Sequence, residues 1–455
     1  MRSPRVGLWA DRGMRFGLGL AANAVYVVAS IARNKWVASH FQTAGIGVVG
    51  QLNAAQIWLG LASSMGLGIA VMRLTGAAFG AGDAPAARRI TWSALTLCAG
   101  TTAVACALAF GFARPLSIAL LGDAGYAPLV RVSLLGAAGY AFYSIVTGLF
   151  AGRSDVRAPL TTAVFASVVS TIAIFSLVPR AGLAGAVLGV SLIFPAGVIG
   201  ALLVHRRDYG PLLGPARDGW LDRASLEPLL LTGAAALALA LLDQGTLLAL
   251  RAHYLRHHGV DANGLFQSAL AFAQQVGSAF YVYLSNYAFG RMSACRDVPA
   301  MRDYTRRHWL PLLGLAVLAF AAAIVLGRPL LHLLYSDRFD PAAPMLAWMA
   351  VGEFGKVALQ IWALAALPLG GPRLWLPLML AFPAGLAASY GLLGLAGVGL
   401  ERLPLAYLGA GLVGLVVNGT VMMRRGVTLR ARDLLLLLAA LALLAALAAW
   451  RAGVL

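Results

Sequence analysis

Short polar segments divide the sequence into thirteen apolar stretches, at 16–39, 45–72, 90–112, 126–151, 159–178, 183–204, 228–250, 264–290, 309–333, 344–369, 374–393, 397–423 and 433–450. About 20 consecutive apolar residues suffice for a helix to cross roughly 30 Å of hydrocarbon. A water-facing surface of ordinary size needs about 25% charged residues, and this chain of 455 residues has 11%. A soluble enzyme, a nucleic-acid-binding domain and a disordered chain are thereby excluded, although 35 Lys and Arg stand against 17 Asp and Glu. Outer-membrane barrels alternate apolar and polar residues, whereas these runs are continuously apolar. The expected fold is an all-α polytopic membrane protein of thirteen spans.

Cytoplasmic loops retain Lys and Arg. With the N-terminus inside, the inner segments collect most of the arginines, among them Arg73, Arg88, Arg89, Arg206, Arg207, Arg306, Arg307, Arg424 and Arg425. The expected N-terminus is therefore cytoplasmic. Most of the net charge of +18 is then a topology signal, favoured further by anionic lipid. The apolar run Phe16–Ala21 before Ala22-Asn23-Ala24 is shorter than a signal-peptide core, so the first run reads as an uncleaved helix. Cys98, Cys106 and Cys295 offer neither a disulfide framework nor a metal-binding spacing.

The chain also repeats itself. Gly45-Ile-Gly-Val-Val-Gly50 opens the second span and Gly259-Val-Asp-Ala-Asn-Gly264 the eighth; Asp123 precedes the fourth and Asp337 the tenth; Gly182-Leu-Ala-Gly185 opens the sixth and Gly394-Leu-Ala-Gly397 the twelfth. The offsets are nearly constant. They predict two six-helix lobes related by a pseudo-two-fold axis: 1–210 (spans 1–6), a cytoplasmic linker 211–227, 228–425 (spans 7–12) and an extra C-terminal helix, 426–455, lying against lipid. Parallel repeats of this kind are a transporter architecture.

Ionisable groups within spans are costly unless paired or facing water, so each is a functional candidate. Arg33 lies too deep to be comfortable in lipid, and its guanidinium fork suits phosphate oxygens. Lys35 is either a second cation or a side chain reaching back to the interface. Glu353 and Lys356, three apart, share one helix face and are either functional or a mutual ion pair. Asp243 has no partner nearby in sequence, and Arg251 with its neighbouring histidines ends the seventh span. Gln51 and Asn53 in the second span, and Gln267 in the eighth, place amides at one level of both halves, as a hydrated cavity would require. No HExxH, nucleotide-binding glycine loop or nucleophile elbow occurs, so no catalytic residue, metal, cofactor or nucleic acid is expected.

The stretches Ile31-Ala-Arg-Asn-Lys35, Gly47-Val-Val-Gly-Gln-Leu-Asn53, Arg251 to Gln267, Leu334-Tyr-Ser-Asp-Arg-Phe339 and Trp348 to Lys356 together resemble the Wzx-type flippases. These belong to the multidrug/oligosaccharidyl-lipid/polysaccharide exporter (MOP) superfamily. The resemblance covers about 1–425. It implies a V-shaped pair of lobes around a cationic cavity, translocation of an undecaprenyl-pyrophosphate-linked oligosaccharide of the O-antigen, capsule or exopolysaccharide kind, and residence in the bacterial inner membrane. Arg33 takes the place of a first-helix arginine that meets the lipid pyrophosphate, although Asn34 stands where an acid often follows. Substrate contacts are then expected at Arg33, Lys35, Gln51, Asn53, Arg251, Gln267 and Lys356. Asp243 or Glu353 would bind a coupling proton or sodium ion, and the polysaccharide assembly machinery would be a partner. The alternatives are a multidrug exporter of the same superfamily and a membrane-embedded glycan polymerase or ligase.

Overall fold

The computed structural model describes residues 4–155, 157–213, 221–284, 288–292, 295 and 297–453. Among them the chain is helical: α1 (Pro4–Ser64), α2 (Leu67–Gly80), α3 (Ala84–Gly111), α4 (Ala113–Leu121), α5 (Ala127–Gly152), α6 (Arg157–Ser191), α7 (Ile193–Val204), α8 (Arg206–Leu213), α9 (Arg223–Tyr283), α10 (Phe289–Met292), α11 (Val298–Val325), α12 (Gly327–Leu334), α13 (Ala342–Leu395), α14 (Arg402–Arg424) and α15 (Ala431–Arg451).

Four of these helices are broken inside. The breaks are at Gln42 in α1, Gly182 in α6, Gly259 in α9 and Gly371 in α13, all with positive φ. Each falls between two spans expected from the sequence. Glycine carries three of them at little steric expense; Gln42, at φ 57°, holds a conformation that L residues rarely adopt.

Nine helices of the described residues are long and apolar enough to cross a membrane, or ten if residues 27–64 and 67–80, bent by 50°, form one span. The expected thirteen are not reached. The count is lower because α1 runs through the first and second expected spans and α9 through the seventh and eighth, and because the sixth is divided between the end of α6 and the short α7. A helix that turns at one residue gives one long element where hydropathy marks two.

The chain forms two compact units, one of residues 1–40 and 49–244, the other of 41–48 and 245–455. The first half of α9 thus belongs with the first unit. There, Gly66 and Gly233 bring their backbones together, and the Trp58 indole donates to the Leu241 carbonyl at 3.3 Å.

The repeat is written in the helix caps. Asp83 precedes α3 and its carboxylate accepts from the Ala86 amide at 2.8 Å; Asp297, 214 residues on, does the same for α11 with the Ala300 amide at 2.8 Å. Each cap is followed by a proline in the first turn, where its missing N–H matters least. The pattern continues through α4 and α12. A 3-10 turn follows each, Ala124–Tyr126 and Asp337–Phe339, and then a long helix, α5 or α13.

Lipid gives no hydrophobic drive for helices to associate, so close backbone contact must supply it. In the first unit, Gly148 of α5 meets the Gly68 carbonyl of α2; a Cβ there would lie 2.1 Å from it. In the second, Gly411 of α14 meets Gly352 of α13 in the same way, with 2.3 Å to the carbonyl.

Helix α15 presents Asp433, Leu437, Ala440, Leu444 and Ala448 inward, packing on α11 and α13. It leaves Leu435 and Leu438 exposed. It is therefore more than the lipid-facing appendage expected, because an Ala-rich face lets it sit close on the second unit.

Candidate functional site

In the first unit, Arg33 is buried. Its Nη1 donates to the Ser167 carbonyl at 3.1 Å and to the Thr171 hydroxyl at 3.2 Å. Ser167 and Thr171 are one turn apart on α6, and Thr171 donates to the Ser167 carbonyl at 2.7 Å. Both of these acceptors are uncharged oxygens of α6. Lys35, two residues on, is exposed. The structure does not place these two cations in one environment, since a two-residue step turns a helix by more than half a circle.

The amides of α1 divide by role. Gln51 is fully buried. Asn53 Oδ1 accepts from Gln56 Nε2 at 2.7 Å, and Gln56 Oε1 accepts from Ser191 at 3.0 Å. That network ties α1 to the end of α6, where Gly136 leaves room for the Gln56 side chain. Asp243 is half-buried, and its carboxylate accepts from the adjacent Gln244 amide at 2.9 Å.

The second unit buries two candidates of opposite sign, Arg251 and Glu353. Arg251 is 2% exposed. Its Nε meets Asn263 Oδ1 at 3.5 Å, its guanidinium lies over Phe266 at 5.9 Å, and Nη2 has no hydrogen-bond partner among the described residues. Asn263 in turn donates to the Gly47 carbonyl at 2.8 Å, and Thr43 donates to Asp261. Around these bonds Gly47 and Gly264 pack with no space for a Cβ on either. Gln267 is half-buried, with its Oε1 unpartnered among the described residues.

Glu353 is fully buried in α13. Tyr281 of α9 donates to its Oε1 at 2.7 Å, and Tyr407 of α14 donates to its Oε2. Gly277 makes room for the carboxylate. The expected ion pair with Lys356 is not formed: Lys356 Nζ lies over the Phe382 ring at 4.5 Å. The Phe382 ring meets Tyr407 edge-on at 5.3 Å. Three residues along a helix put two side chains on one face, but here neighbouring helices supply closer partners to each. The carboxyl is thus enclosed by two hydroxyls, with a cation one aromatic ring away.

Sequence reasoning missed Tyr281, Tyr407, Thr171 and Asn263, each of which orients a candidate. Tyr281, Tyr407 and Thr171 are polar residues within expected spans, and that was the available signal; Asn263 stands just before the eighth span. Their partners lie far away along the chain.

No family model matches the chain. It is similar to the Lipid III flippases of Escherichia coli (strain K12) and Shigella flexneri, 25% identical over 397 residues in each case, covering 83% of this chain and 91% of each relative. Among solved structures it is similar to a multidrug resistance MATE family transporter of the MOP superfamily. The inward-facing form superposes with a TM-score of 0.67 at 16% identity, covering 89% of this chain and 94% of the other. The outward-facing form gives 0.65 at 16%, covering 90% and 94%. The chain has the MOP transporter fold. It is a multi-pass protein of the bacterial inner membrane. Within this MOP fold the buried candidates are Arg33 against α6 and Glu353 between α9 and α14.

Proposed function

We propose that this chain is a flippase that moves a polyprenyl-pyrophosphate-linked oligosaccharide, an undecaprenyl carrier bearing a surface-polysaccharide repeat unit, between leaflets by alternating access. The observation that carries this reading is similarity to two proteins named Lipid III flippase along 91% of their length. It accords with a fold whose buried charges serve transport better than catalysis.

The physical task is to take a charged pyrophosphate and a many-hydroxyl sugar through hydrocarbon while the prenyl chain stays in apolar surroundings. Arg33 supplies a fork matched to phosphate oxygens, oriented by Ser167 and Thr171. In the same reading Lys35, Arg251 and Lys356 add positive charge for the pyrophosphate, and Gln51, Asn53 and Gln267 offer amides to sugar hydroxyls.

Glu353 is the coupling group in this reading, with Asp243 as the second acid. Each binds a proton or sodium ion with an affinity that depends on the conformational state, and that difference is what transfers a gradient to the cycle. A polysaccharide assembly machinery in the membrane would deliver and receive the substrate.

The test is translocation of a lipid-linked oligosaccharide by the purified chain in vesicles, with and without an imposed ion gradient. Complementation of a deletion strain by Arg33→Lys is the companion measurement, and full complementation would remove the phosphate-fork role. The MATE likeness favours a second reading, multidrug export. Drug resistance on overexpression with unaltered surface glycan would establish that instead.

A further inference from the structure

The first unit has an apolar groove of about 680 Å³. Its walls are Ala62, Ser63 and Met65, beside the break between α1 and α2, and the α3 stripe Leu97, Gly100, Val104 and Leu108, with Leu221 at one end. From Thr96 to Leu108 the α3 wall runs about 18 Å at 1.5 Å per residue. Two polar groups in the wall are turned to the backbone: Ser63 donates to the Gly60 carbonyl at 3.2 Å and Thr101 to the Ser63 carbonyl at 2.6 Å. Apart from Thr96, the other wall residues are apolar.

Gly100 is the informative residue. A glycine inside a helix costs about 1 kcal/mol relative to alanine. Gly60 and Gly68 in this unit repay that with contact: a Cβ at Gly60 would lie 2.7 Å from the Ala137 carbonyl, and one at Gly68 2.6 Å from that of Ser144, whereas Gly80 and Gly111, at helix ends, are open. A Cβ at Gly100 would meet nothing within 4 Å. Gly100 deepens the groove without packing against any part of the chain.

The two ends of the groove differ. At one end Val104 and Leu108 are exposed. At the other, Asp222 donates its amide to Ser93 at 2.8 Å and feels the charge of Arg89, and Arg88 and Arg223 lie beside Arg89 and Asp222 in sequence. A chain laid along α3 would therefore end near arginines, which is the complement of an anionic headgroup. The α3 stripe alternates large and small, with Leu97, Gly100, Val104, Ala105 and Leu108 recurring about once per turn. An extended isoprene unit, four chain carbons with one methyl branch, is close in length to one helical turn of about 5.4 Å. A methyl-branched chain matches that relief better than a straight acyl chain.

We propose that this groove holds the polyprenyl chain of the pyrophosphate-linked substrate while its headgroup is translocated. The inference rests on the flippase reading and adds a site to it.

The test uses the full chain in vesicles of phosphatidylethanolamine and phosphatidylglycerol, with a benzophenone amino acid in place of Val104 and polyprenyl pyrophosphate as the probe. The expected result is a covalent adduct of the polyprenyl chain that excess unlabelled probe suppresses. In the chain carrying Gly100→Leu, adduct and translocation should both fall at least tenfold. Gly314→Leu is the control: it fills an equally open glycine face on α11 and should change neither by more than twofold. Adducts with phospholipid acyl chains alone, or a Gly100→Leu chain that binds and translocates within twofold of the parent, would overturn the groove and leave the flippase reading standing. A groove that binds polyprenyl pyrophosphate in a chain that moves no lipid-linked oligosaccharide would support the site and remove the flippase reading.

Discussion

The two units share a backbone plan and differ in the charge they bury. Both begin a long helix with an aspartate cap and a proline, Asp83 and Asp297, and both cross helices on paired glycines. The first unit buries a cation, Arg33, on a carbonyl and a hydroxyl; the second buries an acid, Glu353, under two tyrosine hydroxyls. Caps and glycine crossings are what any copy of this bundle needs to fold. Buried charges are costly for folding; among the described residues the second unit buries Arg251 as well as Glu353 and Asp433, so a buried acid, not a buried cation, is what sets it apart from the first.

The largest effect is expected at the shared crossings. Gly148→Leu in the first unit and Gly411→Leu in the second should each destabilise the bundle by about 3 kcal/mol through overpacking, read as loss of folded protein in a thermal melt. Unequal losses would show that the halves do not rest equally on these contacts.

Glu353→Gln tests the acidic unit. A Gln amide nitrogen cannot accept from a tyrosine hydroxyl, so one hydroxyl loses its acceptor, at about 1–3 kcal/mol. Gradient-driven translocation should fall to background while the folded chain is retained. Preserved coupling would strip Glu353 of its role.

Arg33→Lys tests the cationic unit. Lysine keeps the charge on a shorter-reaching single nitrogen, displaced from the place where Nη1 serves Ser167 and Thr171, and it lacks the planar fork that takes two phosphate oxygens. About 1 kcal/mol of stability should be lost, together with affinity for a pyrophosphate probe measured by titration calorimetry.

The caps should give effects of similar size. Asp83→Ala and Asp297→Ala should each cost about 1 kcal/mol, and their near equality in thermal melts would sharpen the repeat.

A pH dependence separates the halves again. Partial burial pushes the Asp155 carboxyl up. The Ala158 amide, the Tyr209 hydroxyl and the Arg157 amide outweigh it, and hold the carboxyl below the usual carboxylate range. Its folded pKa is depressed, so its contribution is present above the unfolded value and is lost as pH falls through the folded one. The matching turn of the second half reads Gly370-Gly371-Pro372-Arg373 and carries no acid. Acidification should therefore loosen the α5–α6 turn first, by less than about 1 kcal/mol after solvent screening. Hydrogen exchange at Arg157 and Ala158, abolished as a pH response by Asp155→Asn, reads it.

By itself the sequence determined the class of solvent this protein folds in, the positions where its helices break, and the duplication. Those follow from runs of apolar residues, from glycines and from cap residues, all of which act on their near neighbours. It also singled out Arg33 and Glu353, because an ionisable group among apolar residues is visible in one dimension. Only the tertiary structure decided their partners. Lys356 turned to Phe382 and left Glu353 to Tyr281 and Tyr407, residues 72 and 54 positions away. A buried charge takes the group that packing brings within a few ångströms, and packing joins helices whose separation along the chain carries no record of their meeting.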